Sequence, residues 1–254
     1  MSDLRAKFTS LKQLSSDKKD IKPILRELKL LMLEYPFLTP DEVKMPLEER
    51  IIFRDVLEYI ALDAAETGDV KELARVMRQL KSVYFREADK LPVSDKLGLV
   101  MSVYLIYLIT ESKLTEFNVE YPLIKQAVGE NEFLTYAYNL EQAVSDNSFT
   151  RIFKLQGESP SSSFKVLIER ILDGARNSYA SSIEESYHNA TICEIADLLH
   201  FSSLESARSF AASRNWVVTS DDSPVVFSKR NEKRKDIDEA ARYVDLAVSI
   251  SNLQ

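Results

Sequence analysis

With 254 residues, a net charge of −7 and a pI near 5.1, the chain is long enough for one large or two modest cores. Its overall sign is wrong for a protein whose main task is holding phosphate. Hydrophobic residues at 45% and charged residues at 29% place it among soluble globular proteins. A single cysteine, Cys193, excludes an intrachain disulfide and fits a reducing compartment. Five scattered glycines exclude a phosphate loop or a dinucleotide fingerprint, which need several close together. The N-terminus MSDLRAKFTS has no apolar core of signal-peptide type. The longest uncharged apolar run, Leu97–Thr110, has 14 residues, too few to cross a bilayer. The expected location is therefore cytoplasm and nucleus, with no membrane partner.

In chain order, the first helix is predicted over Asp20–Glu34, with Ile21, Ile24, Leu25, Leu28, Leu31 and Met32 on one stripe. Pro23 suits its first turn, and a loop holding Pro36, Pro40 and Pro46 ends it. Leu47–Glu66 follows, broken by Thr67-Gly68, and a helix restarts at once over Asp69–Ala88. There Asp69 and Glu72 read as a capping box. Two helices of this length around a three-residue turn form the unit of helical-repeat proteins. The pattern recurs in Ser94–Thr110 with Leu114–Val128, and in Asn131–Val144 with Ser148–Leu155. No consensus letter repeats, so residues 1–157 read as a degenerate, tetratricopeptide-like solenoid.

Composition changes at Gln156–Pro160, and a linking helix is predicted from Ser161. Residues 158–230 then read as a winged helix. Ala190–Ile192 is a short first strand, Ile192–Leu199 a helix, Phe201–Ser203 a turn and Leu204–Ser213 a second helix. Trp216–Val218 and Val225–Phe227 are strands around the turn chemistry of Asp221–Pro224. Trp216 is the predicted core residue of this part. Residues 231–254 hold a charged linker, within the basic run Lys229–Lys235, and a last helix from Asp236 to Leu253. Ile237, Ala240, Ala241, Val244, Ala247 and Val248 share one face of that helix, and nothing obvious in the chain covers them.

Catalytic chemistry has no support. The two histidines, His188 and His200, form no zinc motif, and no paired-carboxylate or nucleophile arrangement stands out. Cys193 reads as a buried structural thiol, and His200 as the end of the first helix of the helix-turn-helix. No catalytic residue, metal ligand or cofactor is expected. A DNA reader sends its second helix into the major groove between basic flanks. Over Tyr187–Arg230 four basic residues stand against five acids, and Asp221-Asp222 would repel phosphate at the wing tip. DNA is not an expected partner. The basic run reads as a solvated linker, or else as a nuclear-localisation patch.

Helical repeats, a linking helix, a winged helix and a terminal amphipathic helix, in this order, resemble the PCI family. These are scaffold subunits of the proteasome lid, the COP9 signalosome and the initiation factor 3 complex. The resemblance is carried by 27-ELKLLMLEYPFL-38, 77-MRQLKSVYF-85, 116-EFNVEYPLI-124, 149-FTRIFKLQGESPSSSFKVLIERILD-173, 184-EESYHNATICEIADLLHF-201 and 214-RNWVV-218. It implies a mainly α fold and a non-catalytic place in the proteasome lid, among other PCI subunits. Winged helices of the family pair through their sheets, which points to Val225, Val226 and Phe227 as a docking edge. The C-terminal helices gather in a bundle, which points to Ile237, Ala241, Val244 and Val248. A signalosome or initiation-factor scaffold, or an RNA-binding PCI module, stays open on the residues alone.

Overall fold

The computed structural model describes residues 7–11, 22–33, 46–86, 91–187, 190–201, 203–218, 225 and 227. These residues are mainly α-helical and divide into two compact units, Met1–Leu172 and Asp173–Gln254. The first unit holds a helical turn over residues 7–11 (α1), α2 (Lys22–Leu33), α3 (Leu47–Thr67), α4 (Val70–Arg86), α5 (Leu97–Thr110), α6 (Leu114–Val128), α7 (Glu132–Ser145) and α8 (Phe149–Gly157). A 3-10 turn at Ser162–Phe164 leads into α9 (Lys165–Ser186), inside which the division into units falls. The second unit continues with α10 (Ile192–Leu198) and α11 (Leu204–Ser213).

Five turns among the described residues share one lock. Each places a single residue in the left-handed region, at Gly68, Ser112, Asn147, His200 and Asn215. At each, the next N–H reaches back to a carbonyl five residues earlier: Asp69 to Ala64, Lys113 to Leu108, Ser148 to Ala143, Phe201 to Ala196 and Trp216 to Ala211. This satisfies carbonyls that a helix end otherwise leaves open. Glycine fills one of these five positions, and Gly129 takes φ +80° at the α6–α7 turn; asparagine, serine and histidine accept the left-handed conformation at the other four, which is why glycine scarcity is compatible with these tight turns.

α5 explains the core of the first unit. It is apolar on every face and buried on every face, with Val100, Val103, Leu105 and Ile106 fully enclosed. It packs on α3, α6, α7 and the 3-10 turn. Phe164 of that turn is fully buried, edge-on to Phe133 at 6.1 Å and stacked on Tyr136 at 5.8 Å. Burial raises the Tyr136 hydroxyl to about 12 while the hydroxyl donates to the Leu155 carbonyl at 2.8 Å.

A buried charge cluster ties α3 to α4 and to the segment before α5. Glu58 accepts from Tyr84 Oη at 2.7 Å and from Ser94 Oγ at 2.9 Å, with Arg54 Nε 3.5 Å away. Arg54 also holds Asp55 and donates to the Pro92 carbonyl. Desolvation raises the Glu58 carboxyl despite these partners.

Three sequence expectations are corrected here. The Asp69–Glu72 box is half formed: Asp69 Oδ1 caps the Glu72 N–H at 3.1 Å, but the Asp69 N–H is taken by Ala64. Glu72 turns instead to Arg75 at 2.8 Å and to Lys29 of α2 at 2.9 Å, and these partners lower its carboxyl to about 2. α5 begins at Leu97 rather than Ser94, because Ser94 Oγ turns back to accept the Lys96 N–H before the helix starts. The linking helix starts as a 3-10 turn capped by Ser161 and becomes α-helical at Lys165. The predicted loop over 35–45, the wing tip Asp221-Asp222, the basic run Lys229–Lys235 and the last helix lie outside the described residues.

Candidate protein-interaction site

The second unit is organised by two short capped helices. Thr191 Oγ1 accepts the Glu194 N–H at 3.3 Å, and Glu194 Oε2 accepts the Thr191 N–H at 2.8 Å, a closed capping box. α10 turns Ile192, Ile195 and Ala196 inward, joined by Leu199 just past its end. Ser203 caps α11 by accepting the Ser206 N–H at 3.2 Å, and α11 buries Ala207 and Ala211. Small residues on that face let the two helices approach closely.

This geometry corrects two expectations. Ala190–Ile192 is not a strand: Thr191 is the cap and Ile192 the first residue of α10. What remains of strand pairing there is the Val225 N–H, which donates to the Ala190 carbonyl at 2.9 Å. Cys193 is exposed, not buried, because the apolar face of α10 runs through 192, 195, 196 and 199 and leaves position 193 outside.

Trp216 is 5% exposed and sits among aromatic rings. Phe227 meets it edge-on at 5.2 Å and Phe210 at 6.0 Å; Phe201 lies 5.4 Å beyond Phe210. Its indole N–H donates to Glu184 Oε1 of α9 at 2.8 Å. The same oxygen accepts Arg214 Nε at 2.9 Å. Arg214 then donates to the Asn177 carbonyl at 3.1 Å and to Ser181 Oγ at 2.9 Å. Asn177, Ser181 and Glu184 stand at helical spacing on one face of α9, so three polar residues in a row receive one guanidinium. That polar row was the sequence signal for this clamp. In the sequence Arg214 is one of the four basic residues over Tyr187–Arg230, and nothing local pairs it with Glu184.

The clamp turns Arg214 inward and leaves Arg208 as the basic side chain of α11 itself, beside Glu205 on the exposed face. Val225 and Phe227 are buried at 2% and 3% exposure, and the Val225 N–H is engaged. Val217, 58% exposed, forms an isolated bridge. Val226, Ile237, Ala241, Val244 and Val248 lie outside the described residues. Among the described residues, no cluster of three or more His, Cys, Asp or Glu could hold a metal, and no helix is long and apolar enough to cross a membrane.

Comparison with known proteins gives a consistent picture. The profile of the CSN8/PSMD8/EIF3K family matches residues 95–236, which takes in α5 through α11. The 26S proteasome regulatory subunit RPN12 of Saccharomyces cerevisiae is 24% identical over 250 residues, covering 91% of this chain and 90% of the yeast protein. The 26S proteasome non-ATPase regulatory subunit 8 homolog A of Arabidopsis thaliana is 24% identical over 213 residues, 82% of this chain and 79% of the plant protein. The Schizosaccharomyces pombe subunit rpn12 is 24% identical over 205 residues, 79% of this chain and 74% of its own length.

Proposed function

The chain belongs to the CSN8/PSMD8/EIF3K family, and from that premise we propose that it is a non-catalytic structural subunit of the 26S proteasome lid. It acts in lid assembly, and through it in ubiquitin-dependent protein degradation, in cytoplasm and nucleus. The observation that carries this reading is the alignment to the yeast proteasome subunit over 91% of this chain and 90% of that protein. Relatives named for the proteasome in plant and fission yeast favour this branch over the signalosome and initiation-factor branches named in the same family.

The second unit suits assembly better than nucleic-acid reading. A reader of DNA needs several basic side chains projecting from its second helix; α11 carries Arg208 alone, with Glu205 on the same helix, and Arg214 just past its end is bound to Glu184 at 2.9 Å. A protein that docks through a small sheet needs an accessible backbone edge and a rigid base beneath it. The aromatic box around Trp216 and the Glu184 clamp provide the base. Since Val225 already pairs with Ala190, we place the docking edge at exposed Val217 as well as at Val225–Phe227. The face made by Ile237, Ala241, Val244 and Val248 is assigned to a helix bundle with neighbouring lid subunits.

The test is the native size of the chain in a gentle cell extract, with peptidase activity followed across a gel-filtration profile. Elution of the 29.0 kDa chain in a megadalton peak with ATP-stimulated peptidase activity is expected. Elution alone, or with ribosomal or RNA particles, overturns the reading. A chain lacking 236–254 is expected to melt like the intact one and to leave the megadalton peak.

A further inference from the structure

α6 is sparsely covered. Of its 15 residues, Phe117 and Ile124 alone are buried. Val119 is 62% exposed and Leu123, one turn on, 50%. Ala127 continues the row by another turn, so three apolar residues follow one ridge of the helix. That ridge runs into an apolar cleft of about 130 Å³ lined by Ala127 together with Phe85 and Val93, which are 45% and 79% exposed. Solitary exposed apolar residues are ordinary; a ridge continuous with a cleft is the pattern of a contact surface. Pro122 lies inside α6 on its solvent side and has no N–H, so the Asn118 carbonyl is denied its α-helical partner.

The charges around this ridge select the occupant. From Glu111 to Glu132 five acids stand against two lysines, and Lys81 of α4 pairs with one of the five, Glu120. Glu116 is well exposed, with Lys113 4.0 Å away. An acidic rim disfavours RNA, and a chain of net charge −7 is a poor partner for a second copy of itself. We propose that the Val119–Leu123–Ala127 ridge and the cleft at its end receive an amphipathic helix from a protein partner, apolar at i, i+4 spacing and basic on its flanks. Such a helix lays its apolar row along the ridge, places a lysine or arginine against Glu116 and offers a donor to the Asn118 carbonyl. The inference rests on the assembly reading for one point alone, that the partner is a neighbouring subunit.

The test uses the full chain and two synthetic amphipathic helices with the same leucine row, one flanked by lysine and the other by glutamate. Fluorescence anisotropy is expected to give the lysine-flanked helix at least about tenfold tighter binding. Leu123→Glu is expected to weaken it by about tenfold although it adds negative charge, and Leu30→Glu, at an exposed apolar position of α2, to leave it unchanged. Equal binding of the two helices, no binding, or tighter binding by Leu123→Glu overturns the proposal; the last result would mean attraction of charge alone. Val119→Glu serves as a second variant, and both are checked for an unshifted thermal melt. A chain that enters the megadalton particle yet ignores the peptide overturns this inference alone. A chain that binds the peptide but elutes by itself overturns the assembly reading alone.

Discussion

Glu184 Oε1 receives the indole N–H of Trp216 at 2.8 Å across 32 residues of sequence, in a setting where both residues are at least nine-tenths buried. The Arg214 guanidinium closes on the same oxygen at 2.9 Å and lies 5.8 Å from the indole ring. One carboxylate thus orients the aromatic centre of the second unit and neutralises an arginine at the end of α11. Trp216→Ala is expected to destabilise by about 3–5 kcal/mol, since it removes the ring that Phe210 and Phe227 pack on. Trp216→Phe keeps most of the volume but leaves a buried acceptor short of a donor, at about 1–3 kcal/mol. Urea melts of the two variants settle it; an unshifted curve for Trp216→Ala contradicts the core role.

Gly68 has φ +72° at the α3–α4 turn, and a Cβ there would stand 2.8 Å from Val166 Cγ1. Arg170 Nη2 also donates to its carbonyl at 2.6 Å, fixing the turn against α9. Gly68→Ala is expected to cost about 1–3 kcal/mol from the left-handed backbone and the contact together. Gly157 has open space around its Cα and no positive φ, so Gly157→Ala is expected to be neutral or stabilising by up to about 1 kcal/mol. Equal melting temperatures for the two variants would refute this account.

Two carboxylates give stability opposite slopes with pH. Glu72 is lowered from 4.5 to about 2 by Arg75 and Lys29, so its contribution is full above pH 4.5 and disappears as pH falls toward 2. Discounted for partial solvent exposure, this amounts to about 1–2 kcal/mol, and Glu72→Gln is expected to flatten the acid limb. Glu58 is raised by burial, so its contribution is full below pH 4.5 and is lost as pH rises through its folded value. Glu58→Gln is expected to remove that second slope, its single amide oxygen keeping an acceptor for one of the two hydroxyls of Tyr84 and Ser94. Melting temperature against pH for the three proteins is the measurement; parallel curves would contradict both assignments.

Cys193 lies on the solvent side of α10. A thiol reagent is expected to label the free native chain to one equivalent without denaturant. Labelling that appears on unfolding alone would place the thiol inside.

The helices were legible because their signals are local. The 3.6-residue rhythm of Leu25 and Leu28, the all-apolar run of α5, and the breaks at Thr67-Gly68 and Ser112 can be read within a few turns of chain. So could the two-helix unit with its trailing tryptophan. Tertiary structure decided where each polar side chain turns. Glu72 had a local partner available in Asp69 and took Lys29 and Arg75 instead, because the Asp69 N–H was already closed into the turn. Arg214 is one of four basic residues in the sequence of this part and becomes a clamp, because α9 presents Asn177, Ser181 and Glu184 together. Position 193 changed from inside to outside because α10 is seven residues long, and a helix of two turns offers too little periodicity to fix its buried face. Burial of an apolar stripe depends on spacing along the chain. The pairing of a charge depends on which group, dozens of residues away, is brought within about 3 Å, and that distance exists once the helices have packed.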